Sequence, residues 1–228
     1  KIRPIVNYAF IGLNLFVFFF LQGMGTNLSF TYSLSTVPQE ILTGVDIVTR
    51  ESVVRDQASG ERFLVPGLGV TPISVYLTLL ISMFMHGGLM HLLGNMLYLH
   101  IFGDNLENLM GHLRYLIFYL TCGILASLAH VFTSAAQGAN LLIPSLGASG
   151  AISGVLGGYF LLFPRRRVRV MIFYFISEVP ALIAMGVWFV FQLINSLSMF
   201  GGGDGGGVAY GAHIGGFIAG VVLVKFFL

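Results

Sequence analysis

Six apolar runs dominate the pattern of hydrophobic and polar positions along the chain. They cover residues 5–22, 89–109, 113–133, 146–163, 179–198 and 208–227. A helix needs about 20 residues to cross about 30 Å of hydrocarbon, and each run comes close to that length. The pattern therefore predicts an all-α polytopic membrane protein with six transmembrane helices. The first run is predicted to be a span rather than a cleaved signal peptide.

Two of the span boundaries carry local signals. The apolar stretch from Ile73 to Phe84 precedes the second run, and Gly87-Gly88 weakens helix continuation between them, so we expect a short interfacial helix before that span. Ser177-Glu178-Val179-Pro180 is typical of an N-cap followed by an acidic first turn and an early proline, and predicts that the fifth helix starts there. The chain shows no internal repeat and is interpreted as one domain, residues 1–228, with a long outer segment at about 23–88.

Composition and charge support the membrane interpretation and add an orientation. Hydrophobic residues make up 56% of the chain and charged residues only 9%, against about a quarter in soluble domains. With both termini in the cytoplasm, 8 of the 11 basic residues lie inside, as the positive-inside rule favours. Four of them are the arginines at 165, 166, 167 and 169, for which membrane lipid headgroups are a better partner than nucleic acid.

Polar residues at membrane depth are costly, which makes each of them a functional candidate. His91 and Asn95 are spaced i, i+4, share a helical face, and bring donors that can stabilise an oxyanion. Hydrogen bonding between helices explains the same two residues equally well. The sequence leaves both interpretations open at this point.

A serine and a histidine form the second candidate pair. Ser149 opens the fourth run, where free N–H groups and the helix dipole favour an anion, and His213 lies in the sixth run. Small residues at spacing four around both, such as Gly150 with Gly154 and Gly216 with Gly220, allow the two helices to approach closely. A neutral imidazole can activate a serine hydroxyl, and since no Asp or Glu needs to lie at the centre of a span, the pair predicts a dyad rather than a triad. Helix packing alone accounts for the glycines.

Taken together, these clusters closely resemble the rhomboid family of intramembrane serine proteases, over residues from His86 to Gly220. The family's G-x-S-G motif matches Gly147-Ala148-Ser149-Gly150, and its A-H-x-x-G pattern matches Ala212 to Gly216. The resemblance implies a six-helix bundle with both termini cytoplasmic, in which Ser149 is the nucleophile and His213 the general base.

Further roles follow only from this resemblance. It implies an oxyanion hole formed by His91, Asn95 and the Ser149 N–H. It also implies support from His86 and Gly147, and a place for Trp188 in the helix that forms the family's lateral gate for substrate. The expected substrates are single-span or other transmembrane proteins, cleaved in or near their membrane helices, with no cofactor and no metal. The expected location is a bacterial inner membrane.

Two departures from the family pattern stand out. Some members carry a tyrosine four residues after the nucleophile that stacks on the histidine, whereas this chain has Ser153, so His213 must be oriented by something else. Some members also carry a Trp-Arg pair in the first outer loop, and the stretch near Leu77-Thr78 has neither residue.

Other functional classes fit the sequence less well. An aspartyl protease needs two facing aspartates, but Asp204 lies in the glycine run Gly201–Gly207, predicted to be a mobile outer connection, and Asp104 lies on the opposite side. No H-E-x-x-H string is present for a metalloprotease. A transporter or channel would show a charged or repeated substrate site. A rhomboid-like protein that only binds membrane clients would lack the serine or the histidine.

Overall fold

A computed structural model describes residues 2–55, 62–172, 175–200 and 208–228, and most of these residues are helical. The N-terminal part contains three helices and one antiparallel hairpin. In chain order these are α1 (Ile5–Phe16, continued by a π-helical turn at Val17–Leu21), α2 (Leu28–Leu34), α3 (Pro38–Thr43), β1 (Ser52–Arg55) and β2 (Arg62–Val65).

The remaining part of the described chain carries seven α-helices and a second antiparallel hairpin. They are α4 (Thr78–Ile81, between 3₁₀ turns at Val75–Leu77 and Ser82–Phe84), α5 (Leu89–Tyr98, continued by a π-helical turn at Leu99–Gly103), α6 (Asp104–Met110), α7 (His112–Ala136), α8 (Ser149–Leu162), β3 (Arg167–Ile172), β4 (Phe175–Pro180), α9 (Ala181–Phe200) and α10 (Tyr210–Leu223, followed by a 3₁₀ turn at Val224–Phe227).

Helices occupy most of each of the six predicted runs. Among the described residues, His112–Ala136 and Tyr210–Phe227 are long and apolar enough to cross a membrane. The pair Val75–Phe84 and Leu89–Met110, bent by 80°, makes a third if it counts as one span. The apolar helices Ile5–Leu21, Ser149–Leu162 and Ala181–Leu197 are shorter. The chain is thus a helical membrane protein, and the number of six spans stays a prediction.

The break predicted at Gly87-Gly88 is confirmed. The helical segment Val75–Phe84 ends before it, and α5 begins at Leu89, directly after the two glycines. The 80° bend between the two segments turns the chain from the outer segment into the second predicted span. The same turn carries His86 to the start of α5.

The all-α prediction is wrong for two segments that form hairpins, and the predicted start of the fifth helix is wrong with it. Ser177 and Glu178 lie in β4 instead of capping a helix, and α9 begins at Ala181. Glu178 pairs with Arg169 across the hairpin, and their side chains form an ion pair at 3.2 Å. Cross-strand charge pairs and β-branched residues such as Val168 and Val179 stabilise strands, which is why this stretch is not helical.

The helix α8 packs against both α7 and α10, and every residue from Gly150 to Tyr159 is buried. A Cβ atom at Gly216 would overlap the carbonyl oxygen of Gly150, and one at Gly220 would overlap that of Gly154. Where the same glycine faces α7, a Cβ atom at Gly150 would lie 2.7 Å from the Ala126 Cβ. The close helix approach predicted from small residues at spacing four is therefore confirmed, since only glycine fits at these contacts.

Candidate active site

The turn before α8 aims Ser149 into the bundle. Gly147 has a φ of +128°, a conformation that side-chain-bearing residues rarely adopt, and a Cβ atom there would lie 2.9 Å from the His91 ring. Its N–H donates to the Ser82 carbonyl at 2.9 Å. Two residues earlier, Ser145 forms a β-bridge with Thr36 of the predicted outer segment. Residues of the predicted outer segment thus hold the turn that positions Ser149.

The structure brings Ser149 and His213 together, although 64 residues separate them in sequence. The Ser149 Oγ lies 2.9 Å from the His213 Nε2, within hydrogen-bond distance. Ser149 is the first residue of α8, where the leading N–H groups of a helix have no partner inside the helix. One place in the bundle thus combines a hydroxyl with an imidazole that can take its proton. The backbone N–H donors at the start of α8 lie at the same place.

A third residue contacts His213, and the sequence interpretation missed it. Gln192 on α9 places its Oε1 atom 2.9 Å from the His213 Nδ1. Its side chain is buried. The signal that could have found it is the same one that found the histidines: an uncharged polar side chain in an apolar span, one turn after Trp188 at spacing i, i+4.

Trp188 packs beside the same imidazole. Its ring centroid lies 6.0 Å from that of His213, with an interplanar angle of 36°, and 6.0 Å from that of Phe217. Ser153, in contrast, donates its hydroxyl to the Ser149 carbonyl at 2.6 Å. The residues packed on His213 therefore come from α9, and the hydroxyl at position 153 is engaged within α8.

A cavity of about 310 Å³ opens over this point. His91, Asn95, Ser149, Trp188 and His213 all contribute to its wall, beside apolar side chains such as Ile152 and Leu156. The two predicted oxyanion donors on α5 thus face the same space as the serine and the histidine.

Asn95 has an unsatisfied donor in this cavity wall. The residue is 8% exposed, and its Nδ2 atom is buried without a hydrogen-bond partner among the residues that the structure describes. Buried polar groups in proteins are nearly always paired, so an unpaired amide N–H beside a cavity is a feature that calls for a ligand atom. An oxygen that enters the cavity with negative charge would supply it.

His86 lies behind His91 and does not reach the cavity wall. The two rings meet edge to face with centroids 5.1 Å apart, and in the described part of the chain neither ring nitrogen of the fully buried His86 has a hydrogen-bond partner. Gln22 of the turn after α1 holds its backbone, because the Gln22 amide accepts the His86 N–H and donates to the His86 carbonyl. His86 therefore supports the His91 ring from behind.

The predicted glycine-rich connection at 201–207, with Asp204, lies outside the described residues. Asp104, the other aspartate weighed in the sequence, is at the far end of the second predicted span, where it accepts a hydrogen bond from Asn105 at 2.6 Å. It has no part in the wall of the cavity beside Ser149.

Comparison with known proteins gives one consistent result. The family model described as the Rhomboid domain matches residues 74–228, which is more than half of the chain. The match includes every predicted site residue, from His86 to His213. It also includes Gln192.

Three relatives illustrate the range of the similarity. Rhomboid protein 1, mitochondrial, of Saccharomyces cerevisiae is 33% identical over 144 residues, which are 62% of this chain and 39% of the relative. Presenilin-associated rhomboid-like protein, mitochondrial, of Homo sapiens is 28% identical over 155 residues, 65% of this chain and 37% of the relative. Rhomboid protease GluP of Bacillus subtilis is 30% identical over 221 residues, 96% of this chain and 34% of the relative.

The chain spans between 34% and 39% of the length of these three relatives. Mitochondrial proteins are among them, so the similarity gives no support to the predicted bacterial inner membrane. The family match covers the part of the chain that carries Ser149 and His213. By that match, the chain belongs to the rhomboid family.

Proposed function

We propose that this protein is an intramembrane serine endopeptidase that hydrolyses peptide bonds in or near the transmembrane helices of membrane protein substrates. The observation that carries the proposal is the 2.9 Å contact between the Ser149 Oγ and the His213 Nε2 at the wall of a cavity. A relative with 30% identity over 96% of this chain bears the name protease, which supports the same activity.

The proposed first step is acylation of Ser149. The His213 Nε2 takes the hydroxyl proton while the Ser149 Oγ attacks the substrate carbonyl carbon, because a serine hydroxyl is a weak nucleophile until its proton is removed. The carbonyl π electrons move onto oxygen and form a tetrahedral oxyanion. His213 then protonates the leaving amine as the C–N bond breaks.

The oxyanion is proposed to bind three donors. One is the N–H of Ser149 at the start of α8, where the positive end of the helix dipole favours negative charge. The others are the side chains of His91 and Asn95, and the unpaired Nδ2 of Asn95 supports this role. Donors that are already in place need no rearrangement when the charge develops, so each can contribute about 3 kcal/mol to transition-state stabilisation.

Hydrolysis of the acyl-enzyme completes the proposed reaction. Water enters the cavity, His213 takes one of its protons, and the resulting hydroxide displaces the Ser149 Oγ from the acyl carbon. His213 returns the proton to the serine. The products are two peptides, one ending in a new carboxylate and one beginning with a new amine.

The proposed setting is a six-span domain with both termini in the cytoplasm, in contact with membrane lipids. The distribution of 8 of 11 basic residues supports this orientation, and apolar helices lie in all six predicted runs. Substrate is proposed to enter sideways, past α9 and its Trp188. Unwinding of the substrate helix near its outer end would then expose a peptide bond to Ser149.

The direct test is cleavage by the purified protein in liposomes of a single-span substrate with helix-breaking residues near its outer end. We expect cleavage by the wild type and none by Ser149→Ala or His213→Ala. His100→Ala is the matched control, because His100 is an exposed histidine on the helical segment after α5 and should keep full activity. A fluorophosphonate probe should label the wild type at Ser149, as mapped by mass spectrometry. Cleavage that survives in both dyad variants would refute the proposal.

A further inference from the structure

The amide of Gln192 faces the nitrogen of His213 that is turned away from Ser149. The Gln192 Oε1 and the His213 Nδ1 are 2.9 Å apart, and the Gln192 side chain is 6% exposed. The opposite ring nitrogen, Nε2, lies 2.9 Å from the Ser149 Oγ. The imidazole is therefore held at both ends, by α9 on one side and by α8 on the other.

The identity of the Gln192 atom decides where the ring proton lies. An amide oxygen only accepts hydrogen bonds, so Nδ1 must carry the hydrogen in this contact. A neutral imidazole has one N–H, which leaves a lone pair on Nε2. That lone pair faces the serine hydroxyl, as a general base requires.

Trp188 and Gln192 act on the ring from the same helix. They lie one turn apart on α9, and the Trp188 ring packs beside the imidazole that Gln192 contacts. The opposite face of α9 carries exposed apolar side chains: Val187 is 66%, Phe191 58% and Ile194 61% exposed. The helix thus points Gln192 inward and a largely apolar surface outward.

We propose that Gln192 is the positioning residue of His213. In this role its amide oxygen holds the histidine in the Nδ1–H tautomer and fixes the ring for proton transfer with Ser149. The inference rests on the proposed protease function, since a base needs this orientation only if Ser149 reacts. Gln192 then fills the place that a carboxylate occupies in a Ser-His-Asp triad, without adding a charge to an apolar span. It also accounts for the orientation of His213 in a chain with Ser153.

The test compares two substitutions of similar size. Gln192→Met removes the acceptor and keeps the length of the side chain, whereas Gln192→Glu keeps an accepting oxygen whether or not its carboxyl group is protonated. We expect Gln192→Met to lower kcat about 10- to 100-fold with KM changed less than about threefold, because general-base catalysis contributes about 10²–10⁴-fold. Gln192→Glu should retain at least about a tenth of wild-type kcat. A merely structural role would affect thermal stability and KM as well, and the Glu variant would not restore kcat.

A second readout does not depend on activity. The ¹⁵N chemical shifts of His213 in labelled protein report which ring nitrogen carries the hydrogen, and we expect Nδ1–H in the wild type. In Gln192→Met a larger fraction of the His213 rings should be in the Nε2–H tautomer. An Nε2–H ring in the wild type, or an unchanged kcat in Gln192→Met, would overturn the role of Gln192.

The two readouts separate this inference from the proposed function. If the wild type shows Nδ1–H but cleavage does not depend on Ser149, the protease proposal fails while the Gln192 contact stands. If cleavage depends on Ser149 and Gln192→Met cleaves at the wild-type rate, the protease proposal stands and the inference about Gln192 fails.

Discussion

The contact of α10 with α8 is made by backbone atoms, whereas the contact of α10 with α9 is made by large side chains. Between α8 and α10, glycine backbones touch directly, as at Gly154 and Gly220, where a Cβ atom on Gly220 would lie 2.8 Å from the Gly154 Cα. Between α9 and α10, large side chains interdigitate: the Phe189 and Phe217 rings stack with centroids 4.5 Å apart. The first contact leaves no room for an added atom. The second can adjust through side-chain rotation.

Because of this difference, the two contacts have different roles in the site. The glycine contact fixes the backbones that carry Ser149 and His213, so that the distance between their side chains is set by α8 and α10. The side chains of α9 then set how the His213 ring is turned. If α9 shifts when a substrate enters past it, the serine and the histidine stay at the same backbone separation, while the ring contacts of Trp188 and Gln192 change.

The largest effect on stability and activity is expected from a methyl group added at the glycine contact between α8 and α10. Gly220→Ala would force its Cβ against the Gly154 backbone, which cannot rotate away. We expect the free energy of unfolding to fall by about 1–3 kcal/mol, as in other overpacked cores, with loss of most activity because α10 carries His213. Reversible unfolding in detergent micelles measures the first effect, and cleavage in liposomes measures the second.

The matched control is the same substitution on α9. A Cβ atom at Gly186 would meet only the Phe160 ring at 3.9 Å, an ordinary contact distance. Gly186→Ala should therefore leave the free energy of unfolding unchanged or raise it slightly, because alanine favours helix more than glycine does. Equal destabilisation by both substitutions would contradict the division between the two regions.

A substitution on α5 tests the oxyanion donor apart from both regions. Asn95→Leu replaces the amide by an apolar group of similar size, and we expect kcat to fall about 100-fold or more with little change in KM. Its Nδ2 has no hydrogen-bond partner among the described residues, so the free energy of unfolding should stay the same or rise. Steady-state kinetics and unfolding curves on one preparation check both. An undiminished kcat would remove Asn95 from the proposed oxyanion hole.

The smallest effect is expected at Ser153 on α8. Its hydroxyl donates to the Ser149 carbonyl at 2.6 Å and leaves the orientation of His213 to α9. We expect Ser153→Ala to cleave substrate within about twofold of the wild-type rate, because an internal side-chain bond of this kind in a helix contributes little. A tenfold loss in initial rate would mean that α8 also orients the ring and would weaken the contrast with Gln192→Met.

The helices and their breaks were largely predictable because the signals for them are local. Apolar length predicted the helical runs, and Gly87-Gly88 predicted the turn into α5. The hairpin at β3 and β4 was missed because Ser177-Glu178-Val179-Pro180 is a good helix start in isolation. Whether this stretch forms a strand depends on Arg169, eight residues before Ser177. Arg169 pairs with Glu178 only once the two strands have met.

The candidate site was predictable only in part. The motifs around Ser149, His213, His91 and Asn95 pointed to a shared site, and the structure brings these residues around one cavity. Gln192 was missed because a helix that is apolar on most sides gives no sign of which face turns inward. That face is decided by packing against neighbouring helices.

By itself, the sequence determined the membrane class of the protein, the positions of its apolar helices and the glycines that permit close approach. These are properties of composition and of short spacings, and the hydrophobic effect and backbone sterics act on them locally. The tertiary structure alone decided that the Ser149 hydroxyl meets the His213 Nε2, that Gln192 meets its Nδ1, and that Asn95 keeps an unpaired donor in the cavity wall. Each of these contacts depends on the rotation and offset of helices distant in sequence. Those quantities arise from the sum of all packing contacts and from no single segment.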